Sequence, residues 1–303
     1  MINFQRLDPN NKSQYEHYLM NCGDRGCEYS FTNLFLWGRQ KAFFAGNRLL
    51  LFSQFNRRSV YPFPIGPGEA KPVLDAIIRD AKKRGIPCCL TSMTGDDCAT
   101  LEALYPGQFR FYTDRDNYDY VYSIDDLADL KGRKFQKKRN HIHRFEEAHP
   151  NYRILPLDHT TQMAAFEMLG RWYEARHASD PDMDFHLEQL ALQRAFVFYK
   201  QLGLEGLVLM DGDQVLAFTM GSRLNQTTFD VHFEKAMDIA DGAYPIINRE
   251  FARYLRGKYP EVRWLNREDD LGLEGLRKAK LSYCPDHMIE KHWARLWEEE
   301  DEA

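Results

Sequence analysis

The chain has 303 residues, a formal net charge of −5, 44 % hydrophobic residues and 14 % aromatics, which is enough apolar material for two cores and excludes a disordered chain. No apolar run approaches the roughly 18–20 residues of a membrane span, and the start MINFQRLDPNN lacks the basic and apolar regions of a signal peptide. Cys22, Cys27, Cys88, Cys89, Cys98 and Cys284 form no Cys-x-x-Cys pair and no zinc spacing, which predicts reduced thiols, no bound metal and a cytoplasmic location.

In chain order, EYSFTNLFLW (28–37) reads as helix, rich in core residues. KAFFAGNRLLLFSQF (41–55) reads as a hairpin around Gly46-Asn47, and SVYPFPIG (59–66) as a third strand. A helix is expected from about 70 to 84, then the strand PCCLTSM (87–93), then a short helix at 96–104. FRFYTDRDNYDYVYS (109–123) alternates polar and aromatic residues like a strand. Ser123-x-x-Asp126 is a capping-box pattern that opens a helical region, which Gly132 interrupts and His149-Pro150 ends. Met163, Phe166, Leu169, Trp172 and Tyr173 have helical spacing over 160–176, as do Leu187, Leu190, Phe196, Phe198 and Tyr199 over 186–202.

Three strands follow: LVLM (207–210), VLAFTMGS (215–222) and TTFDVHFEKA (227–236), separated by Asp211-Gly212-Asp213 and Asn225-Gln226. Gly242 precedes the helix YPIINREFARYLRGKY (244–259), which stops at Pro260. The strand VRWLN (262–266), the loop REDDLG and the helix LEGLRKAKLS (273–282) come next, and 287–297 is expected to close the sheet. WEEEDEA at the end reads as a solvated terminus. The element order ααβββαβαβ occurs clearly once and, less sharply, once before it.

One stretch stands apart. Lys131 to Phe145 (KGRKFQKKRNHIHRF) holds seven Lys/Arg, two His and no acid; without its seven cations the rest of the chain carries −12. As a helix it puts Phe135, Ile142 and Phe145 on one face, and spreads Lys134, Lys137, Lys138 and Arg144 over the exposed side, with Arg139 nearby. A lysine-rich helix is often only a solvated face. The absence of acids removes the usual i,i+4 pairs, however, so the local field attracts anions. The candidates are tRNA, whose affinity would fall steeply with salt, and an anionic membrane surface.

The order ααβββαβαβ is that of the GNAT acyltransferase fold. EYSFTNLFLW, DRDNYDYVY (114–122), LKGRKFQKKRNHIHRF (130–145), FEKA (233–236) and LNREDDLGLEGLRKAKLSYCP (265–285) resemble the signature blocks of a bacterial family related to the C-terminal catalytic domain of phosphatidylglycerol lysyltransferases. The wider kinship includes the Fem-type transferases. The resemblance implies an α/β chain with mixed sheets, built as two GNAT-like domains in tandem: 1–125, a basic linking helix at 126–150, and 151–303. It also implies transfer of an aminoacyl group from aminoacyl-tRNA to an amine or hydroxyl of a lipid, peptide or small molecule, with no tightly bound cofactor. The multi-helix membrane region of the lysyltransferases is not read in this sequence, so a lipid acceptor would be met from the cytoplasmic surface.

Two rivals stand beside this reading: an acyl-CoA-dependent N-acyltransferase, and a non-catalytic protein that kept the fold. The usual pyrophosphate loop, Arg/Gln-x-x-Gly-x-Gly/Ala, is reduced here to MDIADGAYP, where only Gly242-Ala243 matches and Ile239 stands where a basic residue is expected. The corresponding stretch of the first half, PIGPGEAKP, offers Gly66 and Gly68, more simply read as a Pro-rich turn. Backbone amides at a helix N-terminus can hold phosphate in either place.

On the strand FDVHFEKA, Phe229, Val231 and Phe233 share one face and Asp230, His232 and Glu234 the other, which by itself is a core face and a wet face. In a GNAT sheet this strand and VRWLN are parallel neighbours that splay apart, which would bring Glu234 and Lys235 near Asn266, Glu268 and Asp269. His232, Glu234, Glu268 and Asp269 are unranked candidates for the base, and Lys235 or backbone amides for the oxyanion donor. A carboxylate also suits the α-ammonium of an aminoacyl group. Arg277 and Lys280, three apart on one helix face, read either as a phosphate grip with Lys278 or as a solvated stripe. Glu28, Ser30 and Asn33 read mostly as core, with a binding role left open by the family block, and His141-x-His143, pointing two ways on a helix, as a weak metal site.

Overall fold

The computed structural model describes residues 1–55, 58–179 and 184–297; the acidic end at 298–303, read as a solvated terminus, lies outside the described residues. The chain divides into two compact units. One takes Met1–Asp119, Asp269–Leu273 and the chain from Met288; the other takes Tyr120–Glu268 and Glu274–His287. The basic helical segment is therefore part of the second unit.

In the first unit, β1 (Gln5–Arg6), β2 (Gln40–Ala45), β3 (Arg48–Phe55) and β4 (Arg58–Pro62) run antiparallel in order. β5 (Cys89–Met93) then joins β4 in parallel, through Tyr61 opposite Leu90. The connecting helix, Lys71–Arg84, buries Val73, Leu74, Ile77 and Ala81 at helical spacing and ends at Gly85 in the left-handed conformation. β6 (Phe109–Thr113) follows the helix Gly95–Leu104. The strand His292–Leu296 inserts between β5 and β6. The sequence places 287–297 in the second sheet; His287–Ile289 does lie at its edge, whereas His292–Leu296 belongs to the first sheet, where Ala294 packs into the core with Leu90, Met93 and Phe109.

FRFYTDRDNYDYVYS is not one strand. Asp114 accepts a hydrogen bond from the Asp116 amide, and the turn Arg115–Asn117 separates β6 from β7 (Asp119–Ser123), which lies in the other sheet.

The second unit repeats the order. β8 (Arg153–Pro156) lies beside β9 (Glu205–Asp211), which continues into β10 (Gln214–Arg223) and β11 (Thr228–Ala236), all antiparallel. β12 (Trp264–Asn266) pairs parallel to β11 on one side and antiparallel to β7 on the other. The helices Gln162–Ser179 and His186–Val197 precede the meander. The first buries Ala165, Met168, Leu169, Trp172 and Tyr173, while Met163 and Phe166, read as part of its apolar stripe, are exposed. The helix Ala243–Lys258 buries Ile246, Ile247, Phe251 and Leu255.

The basic segment is broken in two, as its glycine implies. Ser123 caps the helix Ile124–Asp129, accepting from the Asp126 amide; Leu130 and Gly132 turn through positive φ; and the helix Gln136–Ala148 follows a 3-10 turn, Arg133–Phe135. Phe135, Ile142 and Phe145 are its buried residues.

Gly242 is a tight joint in the unit. It begins the helix Ala243–Lys258 at φ 94°, and a Cβ placed there would lie 2.5 Å from the His141 carbonyl oxygen and 2.9 Å from Phe145 Cβ. Gly242→Ala should therefore lower stability by about 2 kcal/mol or more, from left-handed strain and the clash together. Gly257→Ala, in the same helix with open space around it, should raise stability by about 0.5 kcal/mol. Chemical denaturation of the two variants checks the contrast, and equal effects would remove the packing argument.

Candidate active site in the second unit

β11 and β12 pair only at Thr228 with Trp264, Phe229 with Leu265 and Asp230 with Asn266. β11 then continues for six residues while β12 ends, so the two parallel strands part beyond Asp230. Alternation places Asp230, His232 and Glu234 on one face of β11, facing that opening.

Glu234 sits at its centre. One carboxylate oxygen accepts from Arg267 Nη2 at 2.8 Å and the other from Asn248 Nδ2 at 3.2 Å. The Arg267 guanidinium lies 4.7 Å from the ring centre of Tyr283 and 5.5 Å from that of Tyr122. The Lys138 ammonium lies over the same Tyr283 ring at 3.6 Å. Burial, and then the charge on Arg267, pull the Lys138 pKa down to about 8 against the opposing pull of Glu234. Burial pushes the Tyr283 phenol up. Three polar atoms in this group are buried without a hydrogen-bond partner: Arg267 Nη1, Asn248 Oδ1 and the Tyr283 hydroxyl. Asn248 and Tyr283 are only 3 % and 4 % exposed.

Next to Glu234 on the same face, His232 Nε2 lies 2.8 Å from Ser222 Oγ. Its Nδ1 lies 3.2 Å from Glu268 Oε1 and 3.5 Å from Asp230 Oδ2. Two carboxylates at Nδ1 call for a proton there, which leaves Nε2 to accept from the Ser222 hydroxyl. Asp230, His232 and Glu268 offer three ligand atoms within 4.8 Å of one another, so they also have the donor set of a cation site. The expectation of no metal, drawn from cysteine spacing and the weak His141-x-His143 pair, does not reach this grouping.

The loop after β12 is tightly held. Glu268 has φ 56°, its amide donates to Asn266 Oδ1 at 2.7 Å, and its carbonyl accepts from the Tyr120 amide at 3.1 Å. Lys280 is buried and donates to the carbonyls of Arg267 at 2.5 Å and Glu268 at 3.1 Å. Lys280 thus anchors the loop, while Arg277 is half-buried and Lys278 pairs with Glu274 at 2.7 Å.

The structure brings His232, Glu234, Asn266 and Glu268 together, with Lys138 and Lys280 beside them, and places several other candidates elsewhere. Lys235 follows Phe233 to the opposite face of β11, where it meets Glu188 at 2.7 Å and the Trp172 ring at 4.0 Å; burial lowers its pKa. Asp269 belongs to the first unit and acts there on Lys291. Gly242 is covered by the helix Gln136–Ala148. In that helix region Lys134 pairs with Asp126 at 2.6 Å, and Arg139 donates to the carbonyls of Leu130 and Gly132. Lys137 is exposed, and Lys138 turns inward. Gly66 and Gly68, in the first unit, form a turn held by Arg48, which donates to the carbonyls of Pro64 and Gly68.

Sequence reasoning missed Arg267, Asn248, Tyr283 and Ser222 as site residues. It also missed a buried group in the first unit: Lys291 meets Asp119 at 2.5 Å, Glu28 at 2.8 Å and Cys27 Sγ at 3.7 Å. Burial alone would lower the Lys291 pKa, yet Asp119, Cys27 and Glu28 hold it well above the ordinary range. No spacing signal joins residues 27, 119 and 291; only the return of the C-terminal strand does.

Comparison with known proteins follows the same lines. The chain matches the family described as phosphatidylglycerol lysyltransferase, C-terminal, over residues 21–295. A conserved protein of unknown function from Bacteroides thetaiotaomicron is 36 % identical, with a TM-score of 0.92 over 98 % of this chain and 100 % of that one. L-PGS from Bacillus licheniformis shares the fold at 15 % identity, with a TM-score of 0.68 over 98 % and 94 % of the two chains. FemX shares it at 9 % identity, with a TM-score of 0.62 over 98 % of each. An uncharacterised protein of Mycoplasmoides gallisepticum is 24 % identical over 179 residues, and the match spans 59 % of this chain and only 56 % of that relative's length. Among the described residues no helix is long and apolar enough to cross a membrane. The chain has a tandem GNAT-like fold and belongs to the phosphatidylglycerol lysyltransferase C-terminal family.

Proposed function

We propose that the protein is an aminoacyltransferase that moves an aminoacyl group from aminoacyl-tRNA to an amine or hydroxyl of a lipid, peptide or small molecule. The observation that carries this reading is the polar group in the opening between β11 and β12, where Arg267, Asn248 and Tyr283 present unspent hydrogen-bonding atoms around Glu234. A plain acetyl group offers such a site only a carbonyl and has no donor for Asn248 Oδ1, whereas an aminoacyl group has an ammonium as well as a carbonyl.

The reaction needs a nucleophile, a base and an oxyanion donor. The acceptor attacks the ester carbonyl, a new C–N or C–O bond forms, and the ester C–O bond to the tRNA ribose breaks. The proton lost by the acceptor ends on the departing ribose hydroxyl. His232 and Glu268 are the base candidates this geometry favours, because Glu234 already spends both oxygens on Arg267 and Asn248. Backbone amides remain the candidate oxyanion donors, and Arg267 Nη1 and the Tyr283 hydroxyl are donors left for an anionic part of the ligand.

An acyl-CoA donor fits less well. The loop where a pyrophosphate would bind carries Asp241, paired with His141 and Arg144, and its glycine is packed against the His141 carbonyl. An added pyrophosphate would meet that carboxylate. The exposed lysines and arginines of the basic segment suit tRNA phosphates: Lys134, Lys131 and Arg144 each have one acid at close range, Asp126, Asp129 and Asp241.

The test is a titration with bulk charged tRNA and acetyl-CoA, followed by single-turnover loss of the aminoacyl ester in the presence of hydroxylamine. Charged tRNA should bind and weaken with salt, and Lys134→Gln/Lys137→Gln should reduce the salt slope by about 1–2. His232→Gln should slow turnover about 100-fold or more while leaving tRNA affinity unchanged. Binding of acetyl-CoA without tRNA would move the protein to the acyl-CoA class, and unchanged turnover in His232→Gln and Glu268→Gln would remove the assigned roles.

Lys138 supplies a separate check. Its folded pKa, about 8, lies below the ordinary 10.5 of the unfolded chain. Between these values the unfolded state holds the proton and the folded state does not, so this group makes stability rise with pH from about 8 to 10.5. Lys138→Met should lack that contribution. Denaturation midpoints at pH 7.5 and 10 for both proteins measure it, and parallel pH profiles would show that the Lys138 amine is solvated.

A further inference from the structure

The unspent hydrogen-bonding atoms around Glu234 define the ligand more closely. Arg267 uses Nη2 on Glu234 and has no partner for Nη1. Tyr283 has none for its hydroxyl. Asn248 uses Nδ2 on Glu234 and has no partner for Oδ1. Lys138 makes no ion pair among the described residues, and its ammonium rests on the Tyr283 ring. Arg267 and Glu234 act on Lys138, with a lesser pull from Cys284, so two cations face one carboxylate that is already engaged on both oxygens.

Buried polar groups in folded proteins are satisfied, so each of these atoms calls for a partner. Three donors, Arg267 Nη1, Tyr283 O–H and the Lys138 ammonium, call for an anionic acceptor. One acceptor, Asn248 Oδ1, calls for an N–H donor. The excess of positive charge calls for a ligand whose anion sits on the donor side.

We infer that this site takes a ligand carrying a carboxylate and an ammonium a few atoms apart, with the carboxylate on Arg267, Tyr283 and Lys138 and the ammonium on Asn248 Oδ1. A lysyl side chain would bring a third cation to the same place and is disfavoured. This inference rests on the parted strands being the transfer site. The ligand chemistry has two sources: the acidic aminoacyl group of an aspartyl- or glutamyl-tRNA, or a free α-amino acid serving as acceptor.

Isothermal titration of the full chain at pH 7 separates them. The probes are L-isoasparagine, which keeps a side-chain carboxylate and ammonium but caps the acyl end as an amide, L-alanine, L-lysinamide and propionate. One or both of the first two should bind at least about 10-fold more tightly than L-lysinamide and propionate, as expected for one charge-assisted hydrogen bond or more. Tighter binding of isoasparagine identifies the aminoacyl source, tighter binding of alanine identifies the acceptor, and equal binding supports the shared chemistry. Tyr283→Phe should weaken the favoured probe about 10-fold without lowering the melting temperature, because the hydroxyl has no protein partner to lose. Lys138→Met should weaken it similarly and serves if the first variant misfolds.

L-lysinamide binding as tightly as the others, or no binding by any probe, would overturn the inference. If it fails while charged tRNA is still turned over, the transfer reading stands. If the probes bind and no charged tRNA is turned over, the transfer reading fails alone.

Discussion

The buried ammonium of Lys280 donates to two successive backbone carbonyls, those of Arg267 and Glu268, while the Tyr120 amide takes the second of them as well. Those bonds turn the chain away from β11 directly after Asn266, and they hold Glu268 in a left-handed conformation that a glutamate rarely adopts. A strand allowed to run further would continue its parallel ladder along β11 and close the opening. Stopped there, it leaves Arg267 free to reach Glu234 and Glu268 free to reach His232. One lysine, acting through backbone carbonyls, thus sets the positions of two site residues.

The energetic cost of this arrangement argues for a use. A buried ion pair returns little net stability, because desolvation of both partners roughly cancels their attraction. Each buried polar atom without a partner costs a further ~1–3 kcal/mol. Arg267 Nη1, Asn248 Oδ1 and the Tyr283 hydroxyl share one neighbourhood, and a core selected only for stability would have filled it with apolar side chains. The same neighbourhood lowers the pKa of Lys138, a residue that solvent would otherwise keep charged at no cost.

Much of the frame was legible because it follows from periodicity. Alternation in FDVHFEKA assigns Asp230, His232 and Glu234 to one face, and the parallel order of β11 and β12 places the opening beside them. Alternation also assigns Lys235 to the Phe233 face, and its grouping with Glu234 came from adjacency in sequence, which a strand does not honour. Long cations were the hardest to place. Lys138, Lys280 and Lys291 all turn inward, and their partners (a tyrosine ring, two carbonyls, and Asp119 with Glu28) lie far away in sequence. Lysine pattern shows where a chain is basic, but not which ammonium is paid for by an interior partner. The return of His292–Leu296 to the first sheet was hidden for the same reason: a five-residue strand fits either sheet by composition, and only the unfilled place between β5 and β6 decides.

The basic segment consequently has two parts with different physics. Lys131, Lys134 and Arg144 stay near solvent with a nearby acid each, and such exposed pairs are worth little and are readily exchanged for a phosphate. Lys138 has left that surface for the ring of Tyr283, and Arg139 is spent on carbonyls. Neutralising the whole stretch would therefore confound a loss of long-range attraction with damage to the site wall. Lys134 and Lys137 report on the field alone, and Lys138 reports on the site. In the proposed reaction this single helix links the two, drawing in a polyanion with its outer face while its inner face contributes to the place where the acyl end reacts.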